Sequence, residues 1–567
     1  MTQLTDPSGN TQYCYDRFGN MTRKQVTNNA LVSTLLFSYT KAGRISSITY
    51  PSGMLVNYVR NALGQTTQVT VTQSGVTKTL VDNVDYLPFG PLKQLSFPVP
   101  AGGSAPSPLT QTRNYDADYA IQSVGGLTYS VDVLGNITNI ADPGGSNGFV
   151  YDNIDRLKQV TNSTGGNVSQ FTYDATGNRL TKQVGTNAAV TNTYPSTSHR
   201  LTKVGSVTRT LDANGNTTQT SSTSIFTYDA RNRMVDFRTG SASSKIVSQY
   251  QYNGKGERVR KYKGTVDQSR YLFNQLGQLL VQNRIVSGVT TTQEIIWLDD
   301  MSIGISQNGN LHAVLTDHLN TPRQVFELAT QKKVWAWSSV DDAFGENLAM
   351  EDPDANGVKF VLDMRFAGQL FDSESGLHYN YFRDYEAANG RYVESDPMGL
   401  KGGLSTYGYA NQNPLYFNDP LGLWCIPLPD ETSGWETKKR ERNKNFGGVT
   451  INISGKAFAR CTYDNFWHVF QERTSKKRWV CYECLYGIGH CGGKTEDCRF
   501  VIKKDMFSKT EKRDLYESPT EFGSVHSQNG RDCGSCSNPF GGSPLIQCEG
   551  DVNGGDSVYS NPRRPFN

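Results

Sequence analysis

Two acidic residues, set 419 − 396 = 23 positions apart in two copies of one motif, are the side chains of this sequence best placed to do chemistry. Asp396-Pro-Met-Gly-Leu400 and Asp419-Pro-Leu-Gly-Leu423 share the pattern Asp-Pro-x-Gly-Leu. Carboxylates held close together share protons: one takes a raised pKa and serves as an acid, while the other stays ionised as a base. Such a pair can activate water, or assist an acyl shift, at a nearby peptide bond. Pro fixes φ and Gly permits reversal, so each aspartate sits on a rigid turn. The 22 residues between them are enough for two strands and a loop that bring them together. The same pattern is also an excellent turn sequence with no chemistry, and pattern alone favours that plainer reading. Composition changes at the same place: one cysteine precedes Leu423 and nine follow it. Paired acids at so sharp a boundary suggest a self-cutting junction between a large carrier and a different C-terminal cargo.

The elements that must position this pair are predominantly β. A chain of 567 residues is expected to form two or more domains. Hydrophobic residues make up 36% and charged residues 19%, both low for a globular enzyme. Gly, Ser, Thr, Asn and Tyr fill the difference and favour strands and turns over helices. No apolar run approaches the roughly 18 residues of a membrane-spanning helix. Met1-Thr-Gln-Leu-Thr-Asp6 has neither a basic nor an apolar leader region, so no secretory signal peptide is expected. The net charge of +3 belongs to the tail, where 21 Lys/Arg from residue 424 onward outnumber 18 Asp/Glu; the remainder balances at 35 each. So small a surplus reads first as solvated surface and only second as a nucleic-acid contact.

Residues 15–270 carry a degenerate repeat. Its clearest copies are Tyr15-Asp-Arg-Phe-Gly-Asn20, Tyr151-Asp-Asn-Ile-Asp-Arg156, Tyr173-Asp-Ala-Thr-Gly-Asn178, Leu211-Asp-Ala-Asn-Gly-Asn216, Tyr228-Asp-Ala-Arg-Asn-Arg233 and Tyr252-Asn-Gly-Lys-Gly-Glu257. Spacings of 22 to 24 residues, as from Tyr151 to Tyr173 and from Tyr228 to Tyr252, mean stacked supersecondary units. Tyr suits a half-buried sheet face, Asp can bond amides two residues on, and Gly-Asn accepts the positive φ of a tight hairpin. Each unit is therefore expected to be a β-hairpin, which is marginal alone and must share a core with its neighbours. Propeller blades are longer, roughly 40–50 residues. Trp335 and Trp337 alternate along an expected strand and read as packing, as does His318.

The repeated Tyr-Asp-x-x-Gly-Asn/Arg resembles the YD repeat of RHS (rearrangement hot spot) proteins. Thr316-Asp-His-Leu-Asn-Thr-Pro-Arg323, Arg365-Phe-Ala-Gly-Gln369, Gly376-Leu-His-Tyr-Asn-Tyr-Phe-Arg-Asp-Tyr385 and Gly390-Arg-Tyr-Val-Glu-Ser-Asp-Pro397 are similar to the later core of that family. The two Asp-Pro-x-Gly-Leu motifs match the end of its repeat-associated core. The resemblance covers roughly residues 10–423. It implies a mostly β fold: a spiralling YD-repeat hairpin shell, whole or partial, over residues 1–310. The repeat-associated core then occupies 311–423, and a small α+β or cysteine-rich C-terminal domain occupies 424–567. It further implies that Asp396 and Asp419 form an aspartate-protease-like pair, with cleavage between Leu423 and Trp424. Arg383 stands at the family's position for a supporting arginine, ahead of the alternative Arg391. With the resemblance included, autoproteolysis becomes the favoured reading of the two turns.

The tail itself matches no recognisable toxin signature. Gly447 to Arg460 reads as one or two strands, Asn465 to Arg473 as a short helix, and Gly541 to Asn567 as irregular chain. Cys481/Cys484 and Cys533/Cys536 have the C-x-x-C spacing of zinc ligands, but 49 residues separate the pairs, so a disulfide framework is slightly favoured over zinc. Neither pair follows Pro, and no His-x-Glu occurs in the tail, so a zinc deaminase lacks its signature. A nuclease could draw on His468 or His490, and a peptidase on Cys461 or Cys491 with a histidine.

The function expected is a secreted or surface-delivered carrier that encloses an antibacterial or insecticidal effector and releases it by self-cleavage. No cofactor is expected for the shell. The partners implied are a cognate immunity protein and a delivery partner of the VgrG/PAAR or Tc B-subunit type, with nucleic acid a candidate for the tail. The alternative is a non-enzymatic cell-surface YD-repeat protein that binds carbohydrate or partner cells.

Overall fold

The structure, a computed structural model, describes the chain except residues 1, 29–30, 89, 118, 241–244, 339–341, 424–425, 428–430, 433–435, 444–445, 454–455, 464–465, 481–504 and 518–567. The described chain up to Leu423 is almost wholly antiparallel sheet. Twenty strands, from Gln3–Asp6 to Val207–Thr208, each pair with their sequence neighbour. Thirteen more, Thr210–Leu211 to Lys333–Ala336, continue as a second meander that runs without a break through residue 310.

The hairpin expected from each repeat is present, and its turn has one construction. Asp174 Oδ1 accepts the amides of Thr176 and Asn178, both at 2.9 Å. Asp16, Asp229 and Asp317 repeat the pattern at 2.8–3.0 Å. The residue after the glycine closes the turn from the other side: Asn178 Nδ2 donates to Asp174 Oδ2 at 2.7 Å, and Arg233 Nε to Asp229 Oδ2 at 2.9 Å. Positive φ is confined to the glycine position (Gly177 +93°), which Asp155, Asn232 and Asn320 occupy at +59° to +62° where glycine is absent. The following Asn or Arg is a hydrogen-bond donor, not a second left-handed residue. Asp317-His-Leu-Asn320 is thereby one more repeat turn.

In the copies that open with Tyr151, Tyr173 and Tyr252, the tyrosine links its unit to the one before. Tyr173 Oη donates to the Leu157 carbonyl at 2.7 Å, Tyr151 to Ile137 at 2.7 Å and Tyr252 to Met234 at 2.7 Å. Each acceptor lies just after the preceding turn. Tyr173→Phe is expected to cost about 1 kcal/mol, the worth of one such bond, read as a lowered denaturant midpoint with an unchanged slope; an unchanged midpoint would show the link to be idle.

The first sheet also packs against the second. Tyr13, Leu35, Val56, Val69 and Leu95 share a core with Leu272, Leu280, Ile296, Ile303 and Leu315. Buried polar cross-links accompany it: Tyr50 Oη donates to Ile295 O at 2.7 Å, and Lys24 Nζ to Phe273 O at 2.7 Å. A second core joins Phe226, Phe237 and Tyr250 to Trp335, Trp337, Tyr385, Tyr392 and Tyr409. Both tryptophans are buried there, as expected.

The segment that carries the two aspartates sits on the repeat turns. Tyr407 Oη donates to Gly215 O at 2.8 Å, and a Cβ added at Gly215 would stand 2.4 Å from that hydroxyl. A Cβ at Gly277 would come within 3.2 Å of Tyr381 and 3.4 Å of Leu421. The glycines of these turns thus leave room for the core segment as well as taking positive φ.

Past Leu423 only backbone strands are described. Phe446–Ile453 and Lys456–Tyr463 are two antiparallel strands, where one or two strands were expected over Gly447 to Arg460. Phe466–Val480 is a strand paired with Asp505–Glu517, where a short helix was expected. Phe466, Trp467, Val469 and Phe470 suit an extended chain at least as well as a helix, and so short an apolar run does not separate the two periods. The cysteines Cys481, Cys484, Cys533 and Cys536 lie outside the described residues.

Candidate active site

A small four-stranded sheet, Leu370–Asp372, Leu377–Asn380, Arg383–Glu386 and Arg391–Tyr392, is the platform for the two turns. Arg383 opens its third strand, opposite Asn380, and Tyr392 lies opposite Tyr385 in the fourth. Beyond Tyr392 the chain is pinned by Asp396 N donating to Thr406 O at 2.7 Å. The first turn is then closed by the Met398 amide on Asp396 Oδ1 at 2.7 Å. The second is closed by the Leu423 amide on Asp419 Oδ1 at 2.9 Å. Both Asp-Pro motifs are therefore real turns, and both carboxyls remain available for more than turn-making.

The fold brings the three candidate residues together. Arg383 Nη2 lies 2.9 Å from Asp396 Oδ2 and 3.1 Å from Asp419 Oδ2, with each of the three side chains only 1% exposed. Arg383 Nε donates to the Gly422 carbonyl and Nη1 to Thr406 O at 3.3 Å. Its guanidinium lies 3.6 Å from the centre of the Tyr392 ring. The Gly422–Leu423 peptide is thus held at both ends, its carbonyl by Arg383 and its amide by Asp419. The Leu423–Trp424 link is the next one along; Leu423 is buried, and Trp424 lies outside the described residues.

The two carboxyls have unequal surroundings, as an acid–base pair requires. Burial pushes the Asp396 carboxyl up to about 6, and the nearby Asp419 charge adds to the rise, against the pull of Arg383 and the Met398 amide. Its contact with Arg383 is an ion pair without hydrogen-bond alignment, and Oδ2 has no hydrogen-bond partner. Asp419 is surrounded by donors: Arg383 and Tyr392 Oη (2.7 Å) on Oδ2, and the Leu423 amide on Oδ1. Both oxygens of that carboxyl therefore act as acceptors. Close backbone approach keeps both in place. A Cβ at Gly402 would stand 2.4 Å from Asp396 Oδ2, and one at Gly368 (φ +81°) would stand 1.8 Å from Pro420 O. The Arg365-Phe-Ala-Gly-Gln369 motif therefore has a purpose: its glycine admits the second Asp-Pro turn.

Other residues fall elsewhere or were missed. Arg391 donates to His199 O at 2.7 Å and stacks on Tyr407, so it is not part of the pair's surroundings. His318 packs edge-on to Tyr129 and donates through Nε2 to Leu415 O at 2.7 Å, a packing role as expected. Sequence reasoning missed Tyr392, Asn380 and Glu394. Glu394 Oε2 accepts the Asp384 amide at 2.7 Å, and burial, with the neighbouring Asp384 charge, raises its carboxyl well above the usual range. Tyr392 and Glu394 stand within a few residues of Asp396, in the motif already noted, but nothing local says that they turn inward. No helix among the described residues is long and apolar enough to cross a membrane.

Known proteins share this architecture. The Teneurin YD-shell family model matches residues 112–418, which is 307 of the 567 positions. Double-stranded DNA deaminase toxin A of Burkholderia cenocepacia is 24% identical over 448 residues, 73% of this chain and 30% of the relative. Probable deoxyribonuclease RhsA of Dickeya dadantii is 27% identical over 436 residues, 71% of this chain and 26% of the relative. Toxin protein Tse5 of Pseudomonas aeruginosa is 41% identical over 113 residues, 20% of this chain and 8% of the relative. The chain thus spans under a third of the length of each. Among solved structures, TcdB2-TccC3 superposes with a TM-score of 0.60 at 16% identity, covering 74% of this chain and 24% of that one. That likeness is one of fold: large antiparallel sheets built from stacked hairpins. With YD repeats, the repeat-associated core and a family match over more than half its length, the chain belongs to the Teneurin YD-shell family.

Proposed function

We propose that this chain belongs to a toxin-delivery shell that cuts itself after Leu423 and so frees residues 424–567 as an effector. One observation carries the reading. The buried Arg383 touches both Asp396 and Asp419, and Asp419 also holds the Leu423 amide, one peptide link before the proposed cut. In the proposed step Asp419 takes a proton from water, whose oxygen attacks the Leu423 carbonyl carbon. The protonated Asp396 supplies a proton toward the leaving Trp424 nitrogen, and the C–N bond breaks to give a Leu423 carboxylate and a Trp424 amine. A tethered effector kept inside a shell cannot harm its producer, and cutting the tether lets it leave.

The relatives bear differing names, a deaminase toxin and a probable deoxyribonuclease, although each is similar to most of this chain. The effector's activity therefore belongs to the tail and is not inherited from them. Delivery partners of the VgrG/PAAR or Tc B-subunit type and a neighbouring immunity protein complete the reading. Disulfides are the favoured tail cross-link, with zinc at Cys481, Cys484, Cys533 and Cys536 the alternative; thiol titration and metal analysis separate them.

The test is denaturing electrophoresis of the purified full-length chain. Two bands are expected, the smaller beginning at Trp424 on N-terminal sequencing. A single intact band would remove the self-cleavage reading and favour a surface-binding YD-repeat protein. Expression of residues 424–567 in a cytosol and in a periplasm is expected to arrest growth in at least one compartment, with relief by the immunity partner. Healthy growth in both would count against the effector role.

A further inference from the structure

Asp419 receives one contact that neither Asp-Pro motif announces. Tyr392 Oη donates to Asp419 Oδ2 at 2.7 Å, and the same hydroxyl oxygen accepts from Asn380 Nδ2 at 2.8 Å. Asn380 Nδ2 also donates to the Asp419 main-chain carbonyl at 2.7 Å. These distances determine the direction of the chain of bonds. The Asp419 carbonyl can only accept, so the Asn380 amide must present its NH2 group on that side. Asn380 Oδ1 is then left buried without a hydrogen-bond partner. With the NH2 group facing Tyr392 Oη, the tyrosine hydrogen has one acceptor left, Asp419 Oδ2. The ring cannot swing away, because the Arg383 guanidinium carbon lies 3.6 Å from its centre and Tyr385 and Tyr409 pack against it. A buried asparagine with an unfilled oxygen is costly, and the gain it purchases in return is a single orientation of one hydroxyl.

We propose that Tyr392, oriented by Asn380, is a positioning residue that turns Asp419 Oδ1 toward the Leu423 amide. The inference rests on the self-cleavage reading above. The charged and titratable groups facing Asp419 are Arg383 from the third strand, Asp396 from the first turn, and Tyr392 and Tyr409. Glu394 faces Arg383 from the segment between Tyr392 and Asp396. Tyr392 reaches the Asp419 carboxyl on Oδ2, opposite the oxygen that holds the Leu423 amide. Removing its hydroxyl leaves the ion pairs in place and lets the carboxyl turn, so the chain beside the Leu423–Trp424 link is held less firmly and cleavage slows. The fall of the cleavage profile near pH 6, which reports Asp396 losing its proton, should stay where it is.

The experiment follows full-length chain made in a cell-free system, with the two fragments timed on denaturing gels between pH 5 and pH 8. Tyr392→Phe keeps the ring beneath Arg383 and is expected to slow cleavage about tenfold, with the fall near pH 6 left in place. Asn380→Ser, which frees the hydroxyl to rotate without removing it, should slow cleavage by less, and Tyr409→Phe, which takes an unbonded hydroxyl from the adjoining ring, should cleave like the parent. Circular dichroism and a melt on each variant report folding. A Tyr392→Phe rate and profile matching the parent would overturn the inference while leaving self-cleavage standing. Equal slowing by Tyr409→Phe would overturn it too, because that is what loosened packing alone would give. A parent chain that never divides sinks both readings together.

Discussion

Asp419→Asn and Asp396→Asn are each expected to leave the full-length chain uncut, yet to move its stability in opposite directions at neutral pH. The Asp419 carboxyl accepts Arg383 and Tyr392 on one oxygen and the Leu423 amide on the other. An asparagine there must aim its NH2 group at donors whichever way it is placed, and a buried donor left facing a donor costs about 1–3 kcal/mol. Asp396 is the reverse case. Its folded pKa, pushed up to about 6 chiefly by burial, exceeds the 3.8 of an exposed aspartate. The folded chain therefore binds more protons than the unfolded chain between those values, and stability falls as pH rises from about 4 to about 6. At pH 7 the accumulated cost is about 3 kcal/mol, and Asp396→Asn removes it. Denaturant unfolding of the two uncut variants should therefore place Asp396→Asn above Asp419→Asn at pH 7, with the gap narrowing at pH 4. A gap that is absent, or that widens in acid, would show that Asp396 does not carry the raised pKa. The same shift sets the cleavage profile: the rate should decline as pH rises through about 6 and Asp396 gives up the proton it must supply.

Arg383→Met should have the largest effect on both cleavage and stability. One guanidinium serves Asp396, Asp419, the Gly422 carbonyl and the Tyr392 ring while almost fully buried. Removing one partner of a buried ion pair costs about 3–5 kcal/mol, because the remaining charge stays out of water unpaired. Here two carboxyls would be left. The variant should stay uncut and unfold at markedly lower denaturant, and the loss should shrink toward pH 5 as Asp396 neutralises. Arg383→Lys should rescue only part of this, since a single ammonium on a flexible stem cannot copy a planar fork that meets three acceptors. If Arg383→Met divides like the parent, the cation has no place in the chemistry.

The turns were legible in the sequence because each is a local event. Asp174 bonds amides two and four residues on, and Gly177 takes the positive φ, so a window of five residues contains the whole cause. The two Asp-Pro motifs were legible for the same reason, as was the change of composition after Leu423. Asn465 to Arg473 reads as helix, where the strand Phe466–Val480 runs, because its partner, Asp505–Glu517, lies further along the chain and no local pattern announces a pairing made there.

What the sequence by itself determined is the unit and its repetition: Tyr-Asp-x-x-Gly hairpins at a period of 22 to 24 residues, followed by two acids on rigid turns. What only the tertiary structure decided is which oxygen does what. Asp396 and Asp419 have nearly identical neighbours in sequence, but one meets a poorly aligned cation and the backbone of Gly402, and the other meets Arg383, Tyr392 and the Leu423 amide. Proton affinity depends on burial and on the donors within a few ångströms, and those donors arrive from strands that only the assembled sheet brings together.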